Sequence, residues 1–304
     1  MNRIRLAIAS LLTLLMLNGC ATVGRPVSEL PEWEDPRLDE ASGLVVLPGT
    51  GLLVSHNDDG DAALYVATVD GVPKKRIPFP ELENRDWEDL ARIPLKGGSS
   101  LIVIGEIGDN NGRYPSIALH FVKIREDPLE GNFWATLEVF YPDGPRDTEA
   151  LAWDAAGHRL LLLSKRDRPP RLYGVKLPKP LTKESLAAME AQTARYLGMV
   201  EGIPPPSPET LAAQPRLGRW SGQPTGMALD GEGRLAAIIT YNDLHLFRRA
   251  DDESWSKAMG GEPEAVDIPL LGQTEAIDFA PDGSAVYIVP EGKSPRILRV
   301  PLPD

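Results

Sequence analysis

A short pattern recurs along this chain and limits what it can fold into: a glutamate directly before a small residue and an aliphatic strand, at residues 40–44, 87–90, 148–151 and 274–277. A fifth copy, residues 224–227, keeps the pattern with Thr225 in the glutamate's place. Units that recur at this interval are the mark of β-propeller blades, and a propeller carries the repeated position of every blade to the mouth of one central channel. Glu40, Glu88, Glu149 and Glu275 are therefore expected to share a small space.

The rest of the chain reads as short β runs broken by turn residues, with little helical periodicity. Blade one is expected over 43–47, 51–55, 63–68 and 75–79; blade two over 88–93, 100–104, 117–124 and 134–141. Blade three follows over 149–153, 159–163, 171–175 and 194–200, and blade four over 225–229, 234–240, 244–248 and 265–268. Blade five supplies only 275–279, 285–289 and 296–300, so residues 22–30 are the candidate strand that closes the ring from the other terminus. Turns at 154–157, 230–233 and 281–283 have the Asp/Gly composition of tight hairpins and support the same blade phase. Two of the intervals between copies suit a plain blade of about 40–50 residues. The others need insertions, the larger holding a helix capped by Thr182 and running to about Ala194, then a proline-rich loop over 203–218. The expected fold class is all-β, a five-bladed propeller with one short helical insertion; a six-bladed ring would need a further blade inside 150–224, where no sixth copy of the pattern occurs.

Residues 1–20 carry Arg3 and Arg5, an apolar run too short to span a bilayer, and Cys20, the only cysteine in the chain. The segment resembles the lipobox of bacterial lipoproteins, whose cysteine is lipidated. That resemblance implies a signal at 1–20 and anchoring by lipid at the periplasmic face of the outer membrane. A tether rich in proline and glutamate follows at 21–36, with a possible closing strand in it, and the repeat places the propeller at 37–304. With no second cysteine the fold must rest on its core rather than on disulfides. A formal net charge of -12 repels phosphate backbones and argues against nucleic acid as a partner.

In a blade, the loop entering the innermost strand and the loop between the second and third strands emerge on one face. The latter carry Asp58, Asp109, Asn110, Lys165, Arg166, Asn242 and Asp243, the candidate ligand-binding residues around the metal candidates Glu40, Glu88, Glu149 and Glu275. Four carboxylates about 6 Å apart repel by roughly 3 kcal/mol per close pair at an effective dielectric near 20. Protonation, backbone hydrogen bonds from the next blade or a bound cation can each compensate. Oxygen donors without a cysteine or histidine cluster favour Ca2+, and Lys165 with Arg166 suits a phosphate or carboxylate. No nucleophile elbow, P-loop or dinucleotide fingerprint occurs.

The segments 40–44, 56–61, 84–90, 107–113 and 147–151 resemble a group of bacterial exported propellers, the esterase-like phytase or SdiA-regulated group, related in blade motif to calcium-dependent nucleotidases. The resemblance implies a propeller with calcium near its axis and Glu88, Glu149 and Glu275 as central acidic residues, with Glu40 beside them. Three functions follow as expectations: a monomeric binding protein for a divalent cation and an anionic small molecule, a calcium-dependent phosphoesterase, and an envelope scaffold that binds another protein. The sequence leaves turnover open.

Overall fold

The computed structural model of the chain describes residues 27–213, 218–241, 243–266, 268–269 and 272–303. Cys20 and the signal-like segment lie outside the described residues, as does Asn242. Five antiparallel sheets make five blades, and the innermost strands, Ala41–Val46, Trp87–Pro94, Thr148–Asp154, Pro224–Leu229 and Thr274–Phe279, neighbour one another in a closed ring.

Each of the five interfaces between neighbouring blades has its own apolar core. Sheets packed between two others bury both faces of their middle strands, so these strands read as aliphatic runs rather than as alternating sequence. Leu160, Leu161, Leu162 and Leu163 show this: successive residues point into different interfaces and all are buried. Burying a leucine side chain contributes about 1.5–3 kcal/mol, and that burial holds together a ring lacking any cysteine among the described residues.

The last blade is completed from the N-terminal side. Ser28–Glu32 pairs antiparallel with Arg296–Pro301, giving the sheet order first strand, last strand, Ala285–Pro290, Thr274–Phe279. The closing strand thus lies slightly later than the expected 22–30. The long outer hairpin of blade two, Ile117–Glu126 with Leu129–Phe140, absorbs one of the long intervals between copies of the motif.

The insertion after blade three differs from expectation. Thr182 caps a helix, in a reciprocal box with Ser185, but the helix is only Lys183–Ala187 and buries only Leu186. Gln192–Thr193 instead pairs parallel with the outer strand of blade two, and the amide of Ala194 donates to the carbonyl of Phe140 at 2.8 Å. A sheet edge with unpaired backbone groups captures this segment, a gain that one buried leucine per turn does not match. Further short helices occur at Pro208–Ala213 and Trp255–Ala258.

In every blade the pairing of the inner strand with the second slips at one place: between Ala41 and Leu44, Trp87 and Asp89, Thr148 and Ala150, Pro224 and Gly226, and Thr274 and Ala276. A bulge leaves a residue out of the ladder and re-aims its side chain. The residues left out include Ser42, Glu88, Glu149, Thr225 and Glu275.

The inner strands have no further strand on their axial edge, so their backbone groups need other partners. Four side chains supply them. The Asp89 carboxylate accepts from the amides of Leu90 (2.8 Å), Leu151 (2.7 Å) and Met227 (3.3 Å), joining blade two to blades three and four. Asp278 accepts from Val46 (2.7 Å) and Phe279 (2.8 Å). The Ser42 hydroxyl donates to the Glu88 carbonyl at 2.7 Å, and that of Thr225 to the Thr274 carbonyl at 2.6 Å. Toward the end away from the glutamates the channel holds a cavity of about 170 Å³ lined by Leu90, Arg92, Leu151, Met227 and Asp278.

Candidate cation site at the channel mouth

The five bulges and the loops above them arrange the mouth in three tiers. The inner tier is Ser42, Glu88, Glu149, Thr225 and Glu275. Two residues earlier in each blade stand Glu40, Asp86, Asp147, Gln223 and Gln273. The third tier is set by one repeated hydrogen bond, in which a loop amide donates to the carbonyl of the second-tier residue: Asp58 to Glu40 (3.1 Å), Gly108 to Asp86 (3.3 Å), Lys165 to Asp147 (3.1 Å) and Glu291 to Gln273 (2.8 Å). Blade one therefore brings Ser42, not Glu40, to the inner position.

Glu88, Glu149 and Glu275 are buried together. The Ser42 hydroxyl stands 3.4 Å from a Glu88 carboxylate oxygen and 3.5 Å from one of Glu275. Carboxylate oxygens of Glu88, Asp147 and Glu149 lie within 4.8 Å of one another, and all three residues are buried. At that separation two full charges repel by roughly 3 kcal/mol at an effective dielectric near 20. A Cβ at Gly108 would meet the carboxyl groups of Glu88 and Asp86, so any other residue there would have to displace them.

One buried cation answers this charge. Lys165 Nζ donates to Glu149 Oε1 and sits 5.2 Å from the centroid of the Tyr241 ring. Burial opposes its charge, but Glu149, Tyr241 and Glu275 outweigh that and keep the ammonium protonated. Arg166 Nε donates to Asp147 Oδ2 at 2.5 Å, and its Nη2 to the side-chain carbonyl of Asn110. Glu149 Oε2 is buried and has no hydrogen-bond partner, an open acceptor beside Glu88 and Asp147.

Glu40 belongs to a second, shallower group with Asp58 and Asp59, also within 4.8 Å of one another. Asp109 is buried, and its two oxygens accept from the amides of Arg113 and Tyr114, both at 2.8 Å, so it shapes its own loop. Asp243 is exposed and closes a turn with Thr240. Asp86, Asp147, Glu291 and Tyr241 join the site although none is among the candidate site residues; the loops that carry Tyr241 and Glu291 are expected on this rim. The first two had a signal in the sequence, since an acidic residue stands two before the glutamate in both Asp86-Trp-Glu88 and Asp147-Thr-Glu149.

The mouth has too few cations for its carboxylates, and their proton affinities reflect it. Burial, then Glu149 and Glu275, hold Glu88 well above the usual range; burial, then Glu291, does the same for Glu275. Burial, then Asp147 and Asp58, pushes Asp86 up to about 6, and Asp58, then burial, pushes Glu40 up to about 7. These groups bind more protons in the folded than in the unfolded chain between about pH 4 and 7, so stability rises as pH falls through that window. Burial holds His56 down to about 4 and acts in the opposite sense, but the raised carboxylates outnumber it. In chelator, urea midpoints are expected to be higher at pH 5.5 than at pH 7.5; a midpoint that climbs steadily with pH would show that the mouth carboxylates are not held against their charge.

No family model matches this chain, and no curated protein sequence matches it. Among solved structures it is similar to a glutaminyl cyclase from Myxococcus xanthus, with a TM-score of 0.50 and 12% identity over 91% of this chain and 97% of that one. It is also similar to the WD40 repeats of RRP9 (TM-score 0.48, 13% identity, 91% and 97% covered). A third is a gluconolactonase from Xanthomonas campestris (TM-score 0.42, 12% identity, 92% and 99% covered). At such identity the likeness to the cyclase shows the fold alone, a β-propeller, as the strand topology does; the buried acidic cluster at the mouth is seen in this chain's own residues.

Proposed function

We propose that this chain is an envelope propeller, anchored by lipid through Cys20 at the periplasmic face of the outer membrane, that binds a divalent cation at the channel mouth and a small anion beside it. The observation that carries the reading is the unpartnered, buried Glu149 Oε2 next to the carboxylates of Glu88 and Asp147. Leaving such an acceptor unsatisfied costs about 1–3 kcal/mol, more when charged, and a cation removes that cost. The donor set fits calcium: oxygens only, on bulged strands and loops that accommodate a coordination number above six, with serine and threonine hydroxyls in the same tier. Glu88, Asp147 and Glu149 would hold the ion. The resemblance of residues 84–90, 107–113 and 147–151 to calcium-associated exported propellers supports the same choice. Lys165 and Arg166 supply positive charge on one side, where an anion would lie between them and the metal.

Thermal melts of the purified chain in EDTA and in calcium, with elemental analysis of the protein as isolated, test the reading. Calcium at a hundred times its Kd is expected to add about 2.7 kcal/mol of stability, and Glu149→Gln to abolish most of that gain. A melt unmoved by chelator and by added calcium, in protein that elemental analysis finds metal-free, removes the cation.

A further inference from the structure

Beyond the acidic mouth, on the side of blades three and four, two arginines lie against one indole and a third is bonded to the backbone beside it. Trp220 has the guanidinium carbon of Arg166 5.6 Å from its ring centroid and that of Arg219 4.4 Å from it. Arg168 Nη2 donates to the backbone carbonyl of Arg219. The turn that presents Trp220 is built rather than loose: the Ser221 hydroxyl donates to the Gly218 carbonyl at 2.8 Å and the Gln223 amide to the Trp220 carbonyl at 2.9 Å. Gly218 is buried, with room for no side chain, since a Cβ would come within 2.8 Å of the Thr210 carbonyl oxygen.

Arg168 and Arg219 are set apart by their grouping with Arg166 beside one ring, since Arg92, Arg113, Arg195, Arg249 and Arg299 likewise have no ion pair among the described residues. Nearby in blade three, Arg146 pairs with Asp143 (2.9 Å) and Asp167 (2.5 Å), and Arg171 pairs with the same two aspartates (2.5 and 3.3 Å). Arg166 has Asp147. Arg168 and Arg219 have no ion pair among the described residues, in a chain where acidic residues outnumber lysine and arginine 44 to 32. The sequence from Thr210 to Trp220 contains no aspartate or glutamate that could serve. Arg168 and Arg219 are both exposed on this ledge, so water screens their mutual repulsion, and their planar guanidinium groups match the paired oxygens of an oxyanion.

We infer that Arg168 and Arg219, seated around Trp220, form a second anion subsite, so that the ligand is a small molecule with two oxyanion groups. One group lies at Lys165, Arg166 and the cation; the other lies on the ledge. The first half of this statement rests on the proposed cation site, and the second stands on the ledge alone. A dianion overcomes the negative field of the mouth because each of its charged ends meets positive charge, whereas a monoanion gains only one such contact.

The test is calorimetric titration of the full chain, with and without calcium, using succinate and glutarate as dianions and acetate as the monoanion. Both dianions are expected to bind tighter than acetate, the tighter of the two identifying the spacing that the two subsites prefer. The Arg168→Gln, Arg219→Gln double variant is expected to lower dianion affinity about tenfold or more, leaving acetate and calcium affinity unchanged. Quenching of tryptophan fluorescence by a dianion, lost in Trp220→Phe, gives an independent readout. Dianions that bind the double variant as tightly as the parent chain, or the parent chain no tighter than acetate, overturn the subsite. Loss of calcium binding alone removes the cation reading and leaves the metal-free comparison to decide the ledge.

Discussion

Replacing Asp89 with alanine is expected to destabilise the propeller by about 3–5 kcal/mol, among the largest losses for a single side chain in this protein. Asp89 is fully buried and its carboxylate accepts from three amides, two of them on other blades, Leu151 at 2.7 Å and Met227 at 3.3 Å. Those amides face the axis, where no strand can replace the aspartate. Truncation leaves buried donors unsatisfied at about 1–3 kcal/mol each and opens a void as well. Burial raises the Asp89 carboxyl well above its ordinary range while the three amides pull it back, so Asp89→Asn, which keeps an acceptor oxygen, is expected to lose less than alanine. Urea unfolding at constant m value measures both. A loss below about 1 kcal/mol for Asp89→Ala would mean that the inner edges find other partners and that Asp89 does not tie the blades together.

The second large effect concerns Lys165. Lys165→Met removes the buried ammonium from Glu149 and leaves that carboxylate among Glu88, Asp147 and Glu275. Breaking a buried pair by deleting one partner costs about 3–5 kcal/mol, because the other charge stays buried. In chelator the variant is therefore expected to melt well below the parent chain. Calcium should reverse the order of effect: the ion no longer meets a neighbouring positive charge, so its affinity rises by about tenfold or more, and the variant gains more stability from calcium than the parent does. Melts in EDTA and in calcium, with calcium titrations of both proteins, read out the two halves. A variant that melts with its parent in EDTA would show that Lys165 does not answer the charge of the ring.

The blade count and phase were legible because both sources of the signal are local. Asp-Gly turns stand in sequence at the hairpins, and aliphatic runs mark strands buried on both faces. The expected closing strand also followed from a local fact, the missing fourth strand of the last blade. Glu88, Glu149 and Glu275 could be assigned to one ring because each directly precedes its aliphatic run. Glu40 is expected in the same ring by the same repeat, and stands instead with Asp58 and Asp59. Its blade has two small residues, Ser42 and Gly43, before the aliphatic run, and the pairing of Leu44 with Ser55 assigns Ser42 to the inner tier; strand register is a property of the partner strand and is not written in the segment itself. Asp109 illustrates a different limit, since an aspartate in a Gly/Asn-rich loop serves a turn as readily as a ligand, and only the positions of the Arg113 and Tyr114 amides decide between them. Asp89 and Asp278 were invisible as structural residues because the amides they satisfy belong to other blades.

The register slip shared by all five blades has a consequence for how such a molecule can change. A side chain expelled from the ladder leaves the pairing of its own strand intact, so its identity can change while the strand beneath it keeps its register. Serine, threonine and glutamate already occupy equivalent slots here. The slots are not equally free, because the hydroxyls of Ser42 and Thr225 also hold carbonyls of the next blade: a replacement there has to keep a donor, whereas Glu149, bonded to Lys165 of its own blade, can change without giving up a bond between blades.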